Sequence, residues 1–299
     1  MPAVRENLAA FREALPPRSD MLAKVLTQTG AYLIQQGHDL DEARKLVKEA
    51  LEIYRESSEP AVAARDLAIS CLVGIQNRRD DQSQEFVPQR MALVEYLRGV
   101  VPPGSVPLAR ILNDHAEYLD DRDRPAQSLA MTLKGLEILS KLEGQEHQIK
   151  AARAVLRRTS WKIAAKAGRP SEQYRFALRG AQAYLAAQPE EFALVNTLGV
   201  LQYRLGQHEE ALATLTRSDQ HHSQKHDGGI AADVAFIAMA NHELGRESEA
   251  DVALSRLRAL MQSQDESPDN EAQAFLAEAE ALIEPALSDE PLLKVDPRQ

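Results

Sequence analysis

The stretch Asn196–Leu215, NTLGVLQYRLGQHEEALATL, has an echo at Val234–Leu254, VAFIAMANHELGRESEADVAL. Each reads as a helix, a tight turn and a second helix. A Leu-Gly pair closes the first helix in each copy, Leu205-Gly206 and Leu244-Gly245. Glycine is the residue that accepts the left-handed position just past a helix end. Small residues stand where the two helices must touch, Gly199 and Ala211 in one copy and Ala238 and Ala250 in the other. A two-helix unit of this size cannot bury its apolar stripe alone, so such units must stack. The expected fold class is therefore all-α. A chain that is 44% hydrophobic but only 5% aromatic, with no long alternation of strand-formers, agrees with that.

The rest of the chain divides in the same way. Val4–Leu15 is amphipathic and is stopped by Pro16-Pro17, so residues 1–18 read as a partial repeat, a second helix without its first. Ser19-Asp20 can cap a helix that runs to about Gln36, before Gly37. Its partner is Leu40–Arg55, whose Ala43, Val47, Ala50 and Leu51 form one stripe. Ala61–Asn77 with Val87–Val100 makes a second hairpin, turning at Arg78-Arg79-Asp80-Asp81 without a glycine. Pro107–Leu119 with Pro125–Leu142, and Gln145–Ala167 with Ser171–Gln188, follow; with the two opening copies they give about six hairpins over 19–263. Asn270–Ile283 reads as a polar capping helix within 264–283, shielding the last repeat, and the Pro-punctuated acidic segment 284–299 as a disordered tail.

Over roughly residues 19–263 this pattern resembles the tetratricopeptide repeat (TPR): Gly30, Gly37, Ala43 and Ala50 fall near its small-residue positions, and Ala177 to Pro189 spans its twelve-residue step. The closing turns lie about 38–47 residues apart, against ~34 for the basic repeat. The first four repeats are thus similar to the elongated kinesin-light-chain type. Tyr174–Leu260, with its NTLGV, YRLG and AMA…LG runs, is also similar to TPR regions associated with bacterial serine/threonine protein kinases. The chain has no Gly-rich loop and no HRD-like or DFG-like triplet, so its sequence offers no basis for phosphoryl transfer.

The resemblance implies a helical-hairpin solenoid, a right-handed superhelix whose first helices line a concave face. Its expected function is that of a non-enzymatic scaffold binding a protein or peptide segment there. The alternative is a regulatory or sensor segment of a bacterial serine/threonine kinase pathway. On the TPR pattern Arg157, Trp161 and Ala164 face inward in repeat four. Asn196, Val200, Tyr203 and Arg204 do so in repeat five, and Ala235, Met239, His242 and Glu243 in repeat six. Trp161 and Tyr203 would form a platform, Arg157 and Arg204 would meet carboxylates, and Asn196 would meet peptide backbone. Trp161 could equally fill a gap between adjacent repeats and Tyr203 cap a helix pair. The Lys-x-x-x-Asn opening of the chaperone-binding carboxylate clamp does not occur.

The net charge of −10 is unevenly spread. Residues 265–299 carry ten acids against two bases, net −8, while Lys150–Arg179 carries nine bases against one acid, net +8. Arg153, Arg157 and Trp161 share a helix face at spacing four. A basic band beside an aromatic can grip nucleic acid or an acidic peptide. The acidic tail would compete with nucleic acid for that band, so the expected partner is an acidic protein segment. The sequence also allows Glu284–Gln299 to fold back over Arg157–Lys166 until displaced. Gln220–Gly229 concentrates His221, His222 and His226, and His222, His226 and Asp227 have zinc-compatible spacing, which opens a third, hydrolytic reading. No cysteine lies near and Gly228-Gly229 favours an ordinary loop, so no catalytic residue, cofactor or metal is expected. The single Cys71 reads as a buried small hydrophobe in a reducing compartment. No secretory h-region and no ~18-residue apolar run is present, so a cytoplasmic, non-membrane protein is expected.

Overall fold

The computed structural model describes residues 2–37, 39–57, 62–78, 86–100, 104–224, 229–263 and 270–284. Among these residues there are fourteen α-helices and no strand. They are α1 (Pro2–Ala14), α2 (Asp20–Gln35), α3 (Leu40–Glu56), α4 (Val62–Arg78), α5 (Phe86–Val100), α6 (Val106–Asp120) and α7 (Pro125–Leu139). There follow α8 (Glu146–Ala165), α9 (Ser171–Ala187), α10 (Phe192–Arg204), α11 (His208–Ser223), α12 (Ala231–Glu243), α13 (Glu247–Ser263) and α14 (Asn270–Ile283). The turn at Arg79–Asp81, the loop residues His226–Gly228 and the tail from Pro285 lie outside the described residues.

Local chemistry sets the helix ends. Ser19 Oγ accepts the Leu22 amide at 3.2 Å to start α2, and Asp39 Oδ1 accepts the Glu42 amide at 3.0 Å to start α3. The two opening copies close alike. Gly206 takes φ +74°, its amide meets the Tyr203 carbonyl at 2.9 Å, and the Gln207 amide reaches back to the Gln202 carbonyl at 3.0 Å. Gly245 takes φ +70°, with the pair repeated as Gly245 to His242 and Arg246 to Asn241, both 2.9 Å. This is the Schellman closure, which satisfies two carbonyls that the helix end would leave open. Between α8 and α9 a side chain does the work instead. Buried Tyr174 accepts the Arg169 amide at 3.0 Å and donates to the Lys166 carbonyl at 2.6 Å.

The packing falls into two units, residues 1–122 with 130–153, and residues 123–129 with 154–299, so α7 and α8 each contribute to both. In the first unit α3 lies along α2, and α4 packs on both. Gly30 is what brings α2 and α3 together: a Cβ there would sit 2.5 Å from Val47 Cγ2. Gly135 of α7 similarly presses against Asn113 of α6. In the second unit α10 packs on α9, α11 and α12, and α12 packs on α13 and α14. Ala211, Ala238 and Ala250 are fully buried. Within each unit hairpins pack on their sequence neighbours, the local order of a helical solenoid. Cys71 is buried in α4, and burial pushes its thiol pKa up, so it is poorly reactive. Among the described residues no helix is long and apolar enough to cross a membrane.

Candidate partner-binding site

In the second unit, α8, α10 and α12 are the first helices of successive hairpins. Arg204, at the end of α10, ties them together. Its Nε donates to the Ala164 carbonyl at 3.2 Å and its Nη2 to the Ala165 carbonyl at 3.3 Å, both on α8. Its guanidinium lies over the Phe236 ring of α12, 4.8 Å from the centroid. The outer edge of the guanidinium holds Glu278 of α14 in a fork, with Nη2 to Oε2 at 2.8 Å and Nη1 to Oε1 as the second arm. Arginine suits the position because its planar fork matches a carboxylate while spare N–H groups serve carbonyls. The Arg204 side chain is only 7% exposed.

The helix α14 runs across this surface. Phe275 is buried and edge-on to both Trp161 of α8, at 5.9 Å, and Phe236, at 5.3 Å. Trp161 Nε1 donates to Glu271 at 2.9 Å. At the far side Arg258 of α13 meets Glu280 at 2.9 Å and Glu284 at 2.6 Å. Beside α14, at the N-terminal ends of α10 and α12, an open pocket of about 710 Å³ remains. Arg157 and Trp161 form one wall, Ala193, Ile230 and Phe275 supply apolar surface, and Asn196 and His222 lie deeper.

A buried polar cluster stands behind the pocket. Asp233 of α12 is fully buried and accepts from Asn196 Nδ2 at 2.6 Å and Ser218 Oγ at 3.0 Å, with His222 Nδ1 at 2.8 Å. Burial is the main influence on its carboxyl and raises the pKa, opposed by the groups from Asn196, His222 and Ser218. A serine–histidine–aspartate relay needs the serine and the carboxylate on opposite ring nitrogens. Here Ser218 Oγ lies 3.3 Å from the same Nδ1 that faces Asp233, and Ser218 is fully buried. The cluster therefore ties α10, α11 and α12 together and sets up no nucleophile. His222 is committed to this pairing; the other members of the zinc-compatible spacing, His226 and Asp227, lie outside the described residues.

Of the residues expected on the binding face, Arg157, Trp161 and Asn196 line the pocket and Arg204 holds α14. Trp161 and Arg157 are half-exposed at the rim, and Arg157 pairs with Glu191 at 3.1 Å. Arg153, Arg158 and Lys162 of the basic band are engaged as well. Asn196 lines the pocket but spends its amide on Asp233. Tyr203 packs edge-on to Phe236 and His208, each at 5.3 Å. Burial first, then Glu243 and Glu278, push the Tyr203 hydroxyl up to about 12, so it stays neutral. Val200 and Met239, expected on the binding face, are instead fully buried and present no surface to a partner. His242 faces Glu247 at 3.2 Å. Sequence reasoning missed Glu271, Phe275, Glu278 and Asp233. The signal for the first three was present as the acidic, aromatic stripe of Asn270–Ile283, opposite in charge to the basic stretch.

No protein-family model matches the chain, and no curated protein sequence matches it. Among solved structures it is similar to PilW, a widely conserved type IV pilus biogenesis factor, with 19% identity and TM-score 0.42 over 85% of this chain and 98% of that one. It is similar to the TPR domain of P58(IPK) at 15% identity and TM-score 0.29, over 87% and 79%. It is also similar to a tetratricopeptide repeat protein from Parabacteroides merdae at 13% identity and TM-score 0.27, over 86% and 98%. At these values none of the three carries an assignment to this chain.

Proposed function

We propose that this chain is a non-enzymatic protein-interaction module that holds an acidic segment of a partner on the shared face of α8, α10 and α12. The observation that carries this reading is the pocket of about 710 Å³ on that face, with Arg157 and Trp161 at its rim and apolar surface from Ala193 and Ile230. Trp and Arg are the side chains that most often anchor a partner, because they combine apolar area with directed donors. The +8 segment 150–179 supplies the field that favours an acidic segment.

The test is site-specific photocrosslinking in the source cell. Ala193 is exposed and lines the pocket, whereas Val252 of α13 is 68% exposed and belongs to a second helix. A benzophenone side chain at 193 should give a discrete protein adduct that position 252 does not give and that Trp161→Ala removes. Identical adducts from both positions, or none from 193, would rule the reading out.

A further inference from the structure

We infer that α14 is a resident occupant of the partner face and that the partner brings an acidic amphipathic helix of the same pattern in its place. This rests on the reading above, that α8, α10 and α12 hold a partner segment. A helix that merely capped the last hairpin would need only α12 and α13. Instead α14 reaches back through Glu271 to Trp161 on α8 and through Glu278 to Arg204 on α10, contacts that span 110 and 74 residues.

The chemistry of those contacts defines what the face accepts. Glu271, Phe275 and Glu278 stand at i, i+4 and i+7, one stripe of a helix. Ala272 and Ala279 follow the two acids and are buried, allowing close approach. The pattern read outward is acid–small, then an aromatic, then acid–small. The carboxylate receptor is built without α14: Arg204 is aimed by two α8 carbonyls and by Phe236, and these belong to the hairpins themselves. Once a segment covers it as α14 does, Arg204 is nearly buried and costly to leave without an anion, so a replacing segment must bring a carboxylate to the Glu278 position. The charge also fits, since α14 contains three glutamates and no lysine or arginine.

Apolar burial alone holds the resident weakly. Its buried apolar side chains are Phe275 and two alanines, and an isolated helix of 14 residues is marginal in water. It also leaves the adjoining pocket unfilled, walled on one side by its own Glu271, Ala272 and Phe275. A partner helix with a larger residue at the Ala272 position would keep every contact of α14 and add the pocket.

The test uses the full chain and a fluorescein-labelled peptide of residues 270–284, NEAQAFLAEAEALIE. Glu278→Arg in the chain sets like charge against Arg204 and frees the face. By anisotropy the peptide should bind this variant at least about tenfold tighter than the wild-type chain, the worth of one charge-assisted fork. Phe275→Ala in the chain is a second release variant, and melting curves establish that both fold. Peptides carrying the Glu278→Arg or Phe275→Ala change should lose the binding. Equal affinity for wild-type and released chains, or a peptide indifferent to its own Glu and Phe, overturns the inference. So does a wild-type dimer that Glu278→Arg converts to monomer, because α14 would then be exchanged between copies. Crosslinking at 193 separates the two readings. Intact adducts with a failed peptide assay remove only the resident helix. A successful peptide assay with no adducts removes only the partner.

Discussion

Arg204 shows how one side chain can tie several helices together. It crosslinks α10 to α8 through two carbonyls, stacks on α12 and grips α14. Its truncation is therefore expected to lower stability as well as partner capture. Breaking a buried pair by removing one ion costs about 3–5 kcal/mol, and because the Glu278 side chain keeps 30% exposure we expect about 2–3 kcal/mol for Arg204→Ala. Urea unfolding read by circular dichroism checks this. Asp233 provides a second residue-scale prediction. Asn196 and Ser218 donate to it, and His222 faces it, so an amide N–H placed there by Asp233→Asn would oppose at least one of these groups. The expected loss at pH 7 is about 1–3 kcal/mol. The pH dependence has a definite sign. A carboxyl whose folded pKa is raised contributes stability below its unfolded pKa and loses it as pH rises through the folded value. The wild type's advantage over Asp233→Asn should therefore widen as pH falls from 7 toward 4 and narrow as it rises again. Urea midpoints for both proteins across that range measure the gap, and a gap that shrinks in acid would contradict the assignment.

Helix pairs meet where a side chain is missing, and this was the most legible level of the sequence. Gly199 was placed at the contact between the helices of its hairpin because a small residue recurred there; a Cβ on it would lie 2.6 Å from Leu215 Cγ and 2.8 Å from Cδ2. Leu215 is fully buried and cannot swing clear. Gly199→Ala is thus expected to cost about 1–3 kcal/mol despite alanine's better helix propensity. Gly74 is the contrast: it also lies inside a helix, α4, but has nothing within 4 Å of the added Cβ. Gly74→Ala should gain about 0.4–1 kcal/mol, and paired urea melts of the two variants would expose any error in this geometry. Helix ends were legible for a similar reason, since Ser19, Gly206 and Gly245 act within one turn of chain. The position of α14 was not. Asn270–Ile283 reads as a polar cap from its composition, and only the fold shows that its stripe of Glu271, Phe275 and Glu278 meets Trp161 and Arg204. Val200 and Met239 illustrate the same limit: repeat position marks the helix, but burial depends on what lies across it.

Within each unit, stability should be nearly one-dimensional, because hairpins pack on their sequence neighbours and a perturbation decays within a repeat or so. Gly30→Ala, which drives a Cβ to 2.5 Å from Val47 Cγ2, should speed amide hydrogen exchange in α2, α3 and the adjoining α4 while leaving α10 to α13 at wild-type rates. The helix α14 breaks that rule within its own unit. Phe275 sits between Trp161 of α8 and Phe236 of α12, and its helix carries the carboxylate that Arg204 of α10 holds. Phe275→Ala should therefore raise exchange in α14 itself and also in α8 around Trp161, in α10 near Arg204 and in α12. The affected amides would begin more than 100 residues upstream of the substitution, a pattern no nearest-neighbour array produces. If exchange rises only in α13 and α14, then α14 is an ordinary terminal cap, and the long contacts to Trp161 and Arg204 contribute little to holding it. Equal exchange changes at α8, α10 and α12 would instead mark α14 as an element that couples three hairpins, so that whatever displaces it loosens all three together.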